Sequence, residues 1–175
     1  MTSQTPEFMP HWERPIRMPE NVPLTHTEPP FAFAGQTSTW RIPFVLSRDI
    51  PAKSLLKFQM FGARNNKGVF QYVQTDNPSA KGFLSGSLDG KTPLPLKLSP
   101  RGGTYDIAIP PEGLRKEQAV TLILGDTRGG SPGVAAPALR LLNKFFVLYA
   151  IPSEDSEPNP PAWFGRGGWS KENEQ

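Results

Sequence analysis

The chain has 175 residues, enough for one domain with a hydrophobic core plus arms. Cysteine is absent, which excludes disulfides, thiolate metal sites and cysteine nucleophiles, and 21 prolines beside 37% hydrophobic residues predict long irregular segments. The formal charge of +3 is unevenly spread: residues 39–150 carry fifteen Lys/Arg against seven Asp/Glu, and both flanks are acidic. The basic residues are scattered, with no cluster of the kind nucleic acid requires, so nucleic acid is disfavoured as a partner. The plainer reading is that the acidic arms fold back over a basic core; an anionic ligand is the alternative.

Met1 to Glu13 carries glutamates and prolines and lacks an apolar stretch, so it is not a secretory signal as it stands, and no apolar run is long enough to span a bilayer. No compartment follows from this. Residues 1–29 are a proline-rich irregular arm. Pro29 to Ala34 alternates and predicts a first edge strand. Thr39 to Leu46 alternates clearly, with Trp40, Ile42, Phe44 and Leu46 on one face, and Pro43 marks it as an edge strand or a bulge. Leu55 to Phe61 repeats the pattern with Leu56, Phe58 and Met60. Arg64 to Gly68 is a loop, and Val69 to Gln74 is a third strand.

Asp76-Asn77-Pro78-Ser79 is a turn. Phe83 to Leu88 is a weaker strand, because Gly82 and Gly86 leave gaps, and Asp89-Gly90 has hairpin character. Leu94, Leu96 and Leu98 alternate around Pro95, giving another edge strand, and Tyr105, Ile107 and Ile109 give one more. Glu117 to Leu124 is a central buried strand, β-branched and leucine-rich from Val120 onward. Ala135 to Lys144 is the nearest helical candidate, limited by Pro137 to a turn or two. Lys144 to Ala150 closes the domain.

Short strands with turn signals every eight to twelve residues, and no sustained helical period, predict an all-β fold. The expected architecture is an immunoglobulin-like antiparallel β-sandwich of about seven to nine strands over residues 30–151. Residues 152–175 form an acidic tail or linker with a Pro/Gly/Trp composition. The chain stops at Glu174-Gln175 without a closing element, which leaves open a piece of something longer.

The segment that organises the chain is Val120 to Gly133, where the central strand runs into a Gly/Pro loop. Gly129-Gly130-Ser131-Pro132-Gly133 spells G-x-S-x-G, but the residue after a nucleophilic serine must donate an oxyanion N–H, and Pro132 has none. Only two histidines exist, His11 and His26, both in the arm. Gly86 to Thr92 resembles a P-loop one residue short, in an all-β context without a helix to receive phosphate. Asp126 is read as an Asx-type closure of its own loop in preference to a general base, since no second acid lies near it. No catalytic, cofactor or metal residue is therefore assigned, and no cofactor is expected. The candidate interaction loop is Gly125, Asp126, Thr127, Arg128, Gly129, Gly130 and Ser131. Trp163, Arg166 and Trp169 are candidate stacking residues for a sugar or a base, with a stapling role for the tail ranked ahead.

Three segments in order resemble a known family. Ala34-Gly35-Gln36-Thr37-Ser38-Thr39-Trp40, Gln74 to Ala80 followed by Gly82-Phe83, and Leu122 to Gly133 are similar to the N-terminal β-rich region of the bacterial domain of unknown function 3604 family. The resemblance implies an accessory domain associated with a downstream PHP-type metal-dependent hydrolase. The ligands of such a hydrolase have no counterpart in this chain, so none carries over.

The expected function is a non-catalytic accessory domain that packs against a partner domain or protein through the loop 125–133. The alternative is a carbohydrate- or anion-binding module, polysaccharide being the ligand class, with Trp163, Trp169, Tyr72 or Tyr105 as stacking platforms.

Overall fold

The computed structural model describes residues 24–30, 33, 35–60, 73–99, 104–136, 146–151 and 162–167. Among them there is no helix, and twelve strands form three sheets. A four-stranded sheet contains β3 (Trp40–Val45), β9 (Ala119–Leu124), β5 (Leu84–Leu88) and β6 (Thr92–Pro93), in that order and antiparallel throughout. A six-stranded sheet runs β1 (Leu24–Thr25), β12 (Ala162–Gly167), β11 (Phe146–Ile151), β4 (Leu55–Met60), β8 (Thr104–Ile107) and β7 (Leu96–Leu98). It is antiparallel except for the β1–β12 pair. The short β2 (Thr37–Ser38) and β10 (Val134–Ala135) pair with each other.

The period-two pattern is what builds these sheets. In β3 the residues Trp40, Ile42 and Phe44 are fully buried, while Arg41 and Val45 face out. In β4, Leu56, Phe58 and Met60 are buried in the same way. The inward residues of both sheets meet in one cluster. Phe44 of the four-stranded sheet lies edge-on to Phe58 of the six-stranded one at 6.2 Å between ring centroids, and Phe58 stacks on Phe146 at 5.9 Å. Each such ring buried contributes roughly 1.5–3 kcal/mol relative to exposure.

Pro43 sits where an edge strand tolerates it. β3 pairs with β9 on one side only, and its outer side is met by Glu28, whose backbone exchanges hydrogen bonds of 2.9 and 2.8 Å with Arg41. The Thr25 hydroxyl donates to the Pro43 carbonyl at 3.1 Å. Residues 24–28 thus run from the end of one sheet to the edge of the other. On the far side the extended run from β6 to β7 makes the opposite crossing: Leu94 N–H donates to the Gly86 carbonyl, and the Pro95 carbonyl accepts from Ala108 N–H.

Several elements differ from the sequence reading. Residues 24–28 and 162–167 join the sheets, although composition places them in an arm and a tail. Pro29, Pro30 and Phe33 belong to no strand, because the edge of β3 is occupied by Glu28 and the strand before it is β2. β11 is an interior strand, flanked by β4 and β12, where the sequence suggests a closing one. The loop 64–68 and most of the third predicted strand lie outside the described residues; its last residue, Gln74, bridges Phe83. Of the helical candidate, Ala135 is in β10 and residues 137–144 lie outside the described residues. The Asp89-Gly90 turn is a hairpin turn with φ of 50° and 69°, closed by Lys91 N–H on the Leu88 carbonyl at 3.0 Å.

Candidate functional site: the loop beyond the central strand

β9 is paired on both sides, with β3 and β5, and delivers the chain into the loop 125–133. Gly125 turns it with φ +73°, and a Cβ there would stand 2.7 Å from Val134 N and 2.8 Å from the Ser38 carbonyl oxygen. The Gly125 carbonyl accepts the Thr39 hydroxyl at 2.7 Å, and Asp126 N–H donates to the Phe83 carbonyl at 2.9 Å. The loop leans on its neighbour, the loop 74–82. A Cβ on Gly129 would fall 2.5 Å from Pro78 Cβ, and Gly82 N–H donates to the Gly133 carbonyl at 3.0 Å. That neighbour is itself closed by side chains. Gln74 Oε1 accepts from Asp76 and Asn77 N–H, and Asn77 Oδ1 accepts from Ser79 N–H and Oγ–H.

Asp126 is buried, and its carboxylate is fully engaged. Oδ1 accepts from Arg128 N–H at 3.1 Å and from Arg128 Nε at 3.0 Å; Oδ2 accepts from Arg128 Nη2 at 2.6 Å and from the Ser85 hydroxyl. The i to i+2 bond is an Asx closure, and the guanidinium adds a fork. Burial alone would push this carboxyl up. The Arg128 hydrogen bonds, the Ser85 hydroxyl and the guanidinium charge outweigh it, holding the group at about 2. An acid so held is a poor general base at neutral pH.

Ser131 is buried too, and its Oγ accepts Gly133 N–H at 3.2 Å. Gly130 N–H donates to the Thr127 carbonyl at 3.0 Å. The exposed rim of the loop is Thr127, Arg128, Gly129, Gly130 and Pro132, and the Arg128 side chain is 66% exposed against 5% for Asp126. Among the described residues no group of three or more His, Asp or Glu side chains could hold a metal ion.

The structure therefore brings Gly125, Asp126, Thr127, Arg128, Gly129, Gly130 and Ser131 into one shaped loop. It adds Ser85, on β5, and Thr39, just before β3, to which the sequence reading assigns no role at the loop; the pairing of β5 and β3 with β9 carries them there. Trp163 and Arg166 lie on β12, and Trp169 lies outside the described residues, as does Tyr72. Tyr105 is not a stacking platform. Its ring is buried beside Phe58 at 6.4 Å, and burial pushes its phenol up to about 12. Compared with family models, curated proteins and solved structures, the chain matches none.

Proposed function

We propose that this chain is a non-catalytic accessory domain, an immunoglobulin-like β-sandwich that packs against a partner domain or protein through the rim of the loop 125–133. One observation carries the reading. The two side chains of the loop with chemistry to offer, Asp126 and Ser131, are buried and bonded within the loop, while the residues presented outward are Thr127, Arg128 and the glycine pair. Such a loop has the makeup of a rigid contact surface and lacks an activated nucleophile. The shared core between the two sheets supports the sandwich. The resemblance of the loop and of the strands before it to a region found in front of PHP-type hydrolases points to a metal-dependent hydrolase as the partner class.

Two measurements test this. The purified chain is expected to turn over no ester, phosphoester or glycoside substrate; turnover that vanishes in Ser131→Ala or Asp126→Ala would overturn the reading. Mixed with a PHP-type hydrolase domain, the chain is expected to co-elute in gel filtration, and Thr127→Glu, on the exposed rim, to elute apart with an unchanged melting temperature. Failure of the unaltered chain to co-elute counts against the docking role.

A further inference from the structure

A single exposed apolar side chain is ordinary on a protein surface. Phe33, 75% exposed in the complete chain, is set apart by how firmly its backbone is held. Its N–H donates to Gln36 Oε1 at 3.2 Å, and its carbonyl accepts Gln36 N–H at 2.9 Å. The turn so closed has Gly35 in third place at φ +78°, the position and sign that a type II turn assigns to glycine. The turn is then tied to the end of β10. Gly35 N–H donates to the Ala136 carbonyl at 2.9 Å, and Ala136 N–H donates to the Gln36 carbonyl at 2.8 Å. A ring presented from so fixed a base loses little backbone freedom when it is bound.

The turn continues the loop 125–133. β10 begins directly after Gly133, pairs Val134 with Ser38 and Ala135 with Thr37, and leads to the turn at Ala136. A Cβ on Gly133 would stand 3.0 Å from Thr37 Cγ2, so loop and ribbon are in contact. Three residues of strand, roughly 10 Å, separate Gly133 from Ala136. On its other side the loop leans on residues 74–82, of which Asp76, Asn77, Pro78, Ser79 and Lys81 are exposed. One end of the molecule thus presents three adjoining segments: the turn, the loop rim and the neighbouring loop.

We propose that Phe33 anchors the docking surface, and that the partner is a folded protein domain offering an apolar socket for its ring. This rests on the docking role of the loop rim and adds the residue that carries the affinity and the chemistry of the partner's side. Three features select this occupant. Arg128 is matched by Asp126, and Lys81 and Asp76 balance in number, so this end gives a polyanion no net attraction. The rim is rich in Pro78, Gly129, Gly130 and Pro132, which have no polar side chain, and Gln36 Oε1 already serves its own turn. A sugar needs directed polar groups beside its stacking ring, whereas glycine and proline let another protein surface approach closely. A second copy offers no match. Of the other large exposed apolar side chains among the described residues, Val45 is at the far end of β3 and Leu55 is on the other sheet. A two-fold contact through this end would bury one such ring a side, far short of the roughly 800 Å² per partner of a stable pair.

The test is titration calorimetry of the full chain with a PHP-type hydrolase domain, and separately with soluble β-glucan and xylan. It compares the parent with Phe33→Ala, Phe33→Leu and Thr127→Glu. The parent is expected to bind the domain with a negative heat-capacity change and an affinity nearly constant between low and high salt. Phe33→Ala is expected to weaken binding about thirtyfold or more at an unchanged melting temperature, and Phe33→Leu to recover part of the loss. If Thr127→Glu weakens binding and Phe33→Ala binds as the parent does, the anchor is wrong and the docking role of the loop stands. If the parent does not bind the domain, both fall. Binding of a glucan or xylan that is lost in Phe33→Ala makes the ring a sugar platform and overturns the proposal. A lower melting temperature for Phe33→Ala also overturns it, because the ring would then be serving the fold.

Discussion

Asp126 and Arg128 form one pair with two very different environments, and that asymmetry fixes how each should respond to removal. Asp126→Ala leaves Arg128 free to be hydrated, because the guanidinium is already largely exposed, so the loss is that of several loop hydrogen bonds, about 2 kcal/mol. Arg128→Ala instead leaves a buried carboxylate with Ser85 and one N–H, at a cost of about 3 kcal/mol. Urea denaturation should therefore rank Arg128→Ala below Asp126→Ala, and the double variant should fall near Asp126→Ala alone. The reverse ranking would mean that the pair is held by something other than charge. The glycines of the same loop separate in a similar way. Gly125→Ala meets backbone atoms at under 3 Å as well as a positive φ, and should cost more than 3 kcal/mol. Gly130→Ala has φ +93° but no atom nearer than 3.7 Å, so only the conformational term of about 1 kcal/mol applies.

At the level of the strand, β12 is the element whose role is most open to test. Phe164 is 3% exposed and belongs to the common core, although it lies in a stretch that reads as tail. Phe164→Ala is expected to cost roughly 3 kcal/mol in chemical denaturation; a loss below about 1 kcal/mol would show that β12 is an accessory to the sheet. The contrast with β3, β4 and β9 explains what the sequence reveals. Those strands have strict alternation or a β-branched run, so Trp40, Ile42, Phe44, Leu56, Phe58 and Leu122 are readable as core from their spacing alone. β12 is Ala-Trp-Phe-Gly-Arg-Gly, with two glycines and a charge, and it becomes a strand because β11 offers it an edge. β1 is hidden for the same reason, among prolines and with only two paired residues. The loop 125–133 is legible as a loop, and the Asx role of Asp126 with it, since both follow from local chemistry. Ser85 and Thr39 are not, because they acquire meaning only through register between distant strands.

For the molecule as a whole, two buried groups on different sheets set the pH range over which the fold keeps its full stability. Asp126, beside the four-stranded sheet, is held at about 2 against an ordinary 3.8. A depressed carboxyl contributes stability that is complete above its unfolded value and is lost as pH falls from about 4 to 2, on the order of 2 kcal/mol in total. Tyr105, on the six-stranded sheet, is raised by burial from 10.0 to about 12. Its neutral form is the one the core accepts, so its contribution is complete below pH 10 and is lost between about 10 and 12, again on the order of 2 kcal/mol. Tyr149 is raised in the same direction, by burial and then by the Asp106 carboxylate, and steepens the alkaline side. The stability curve is therefore expected to be flat from about pH 4 to pH 10 as far as these groups decide it, with one flank assigned to each sheet. Urea midpoints measured across pH should show Arg128→Ala flattening the acid limb, because the carboxyl is no longer depressed, and leaving the alkaline limb in place. Tyr105→Phe should do the opposite, flattening the alkaline limb while the acid limb stays. If either substitution moves both limbs together, the flanks report general charge repulsion, and the assignment of one buried group to each is wrong.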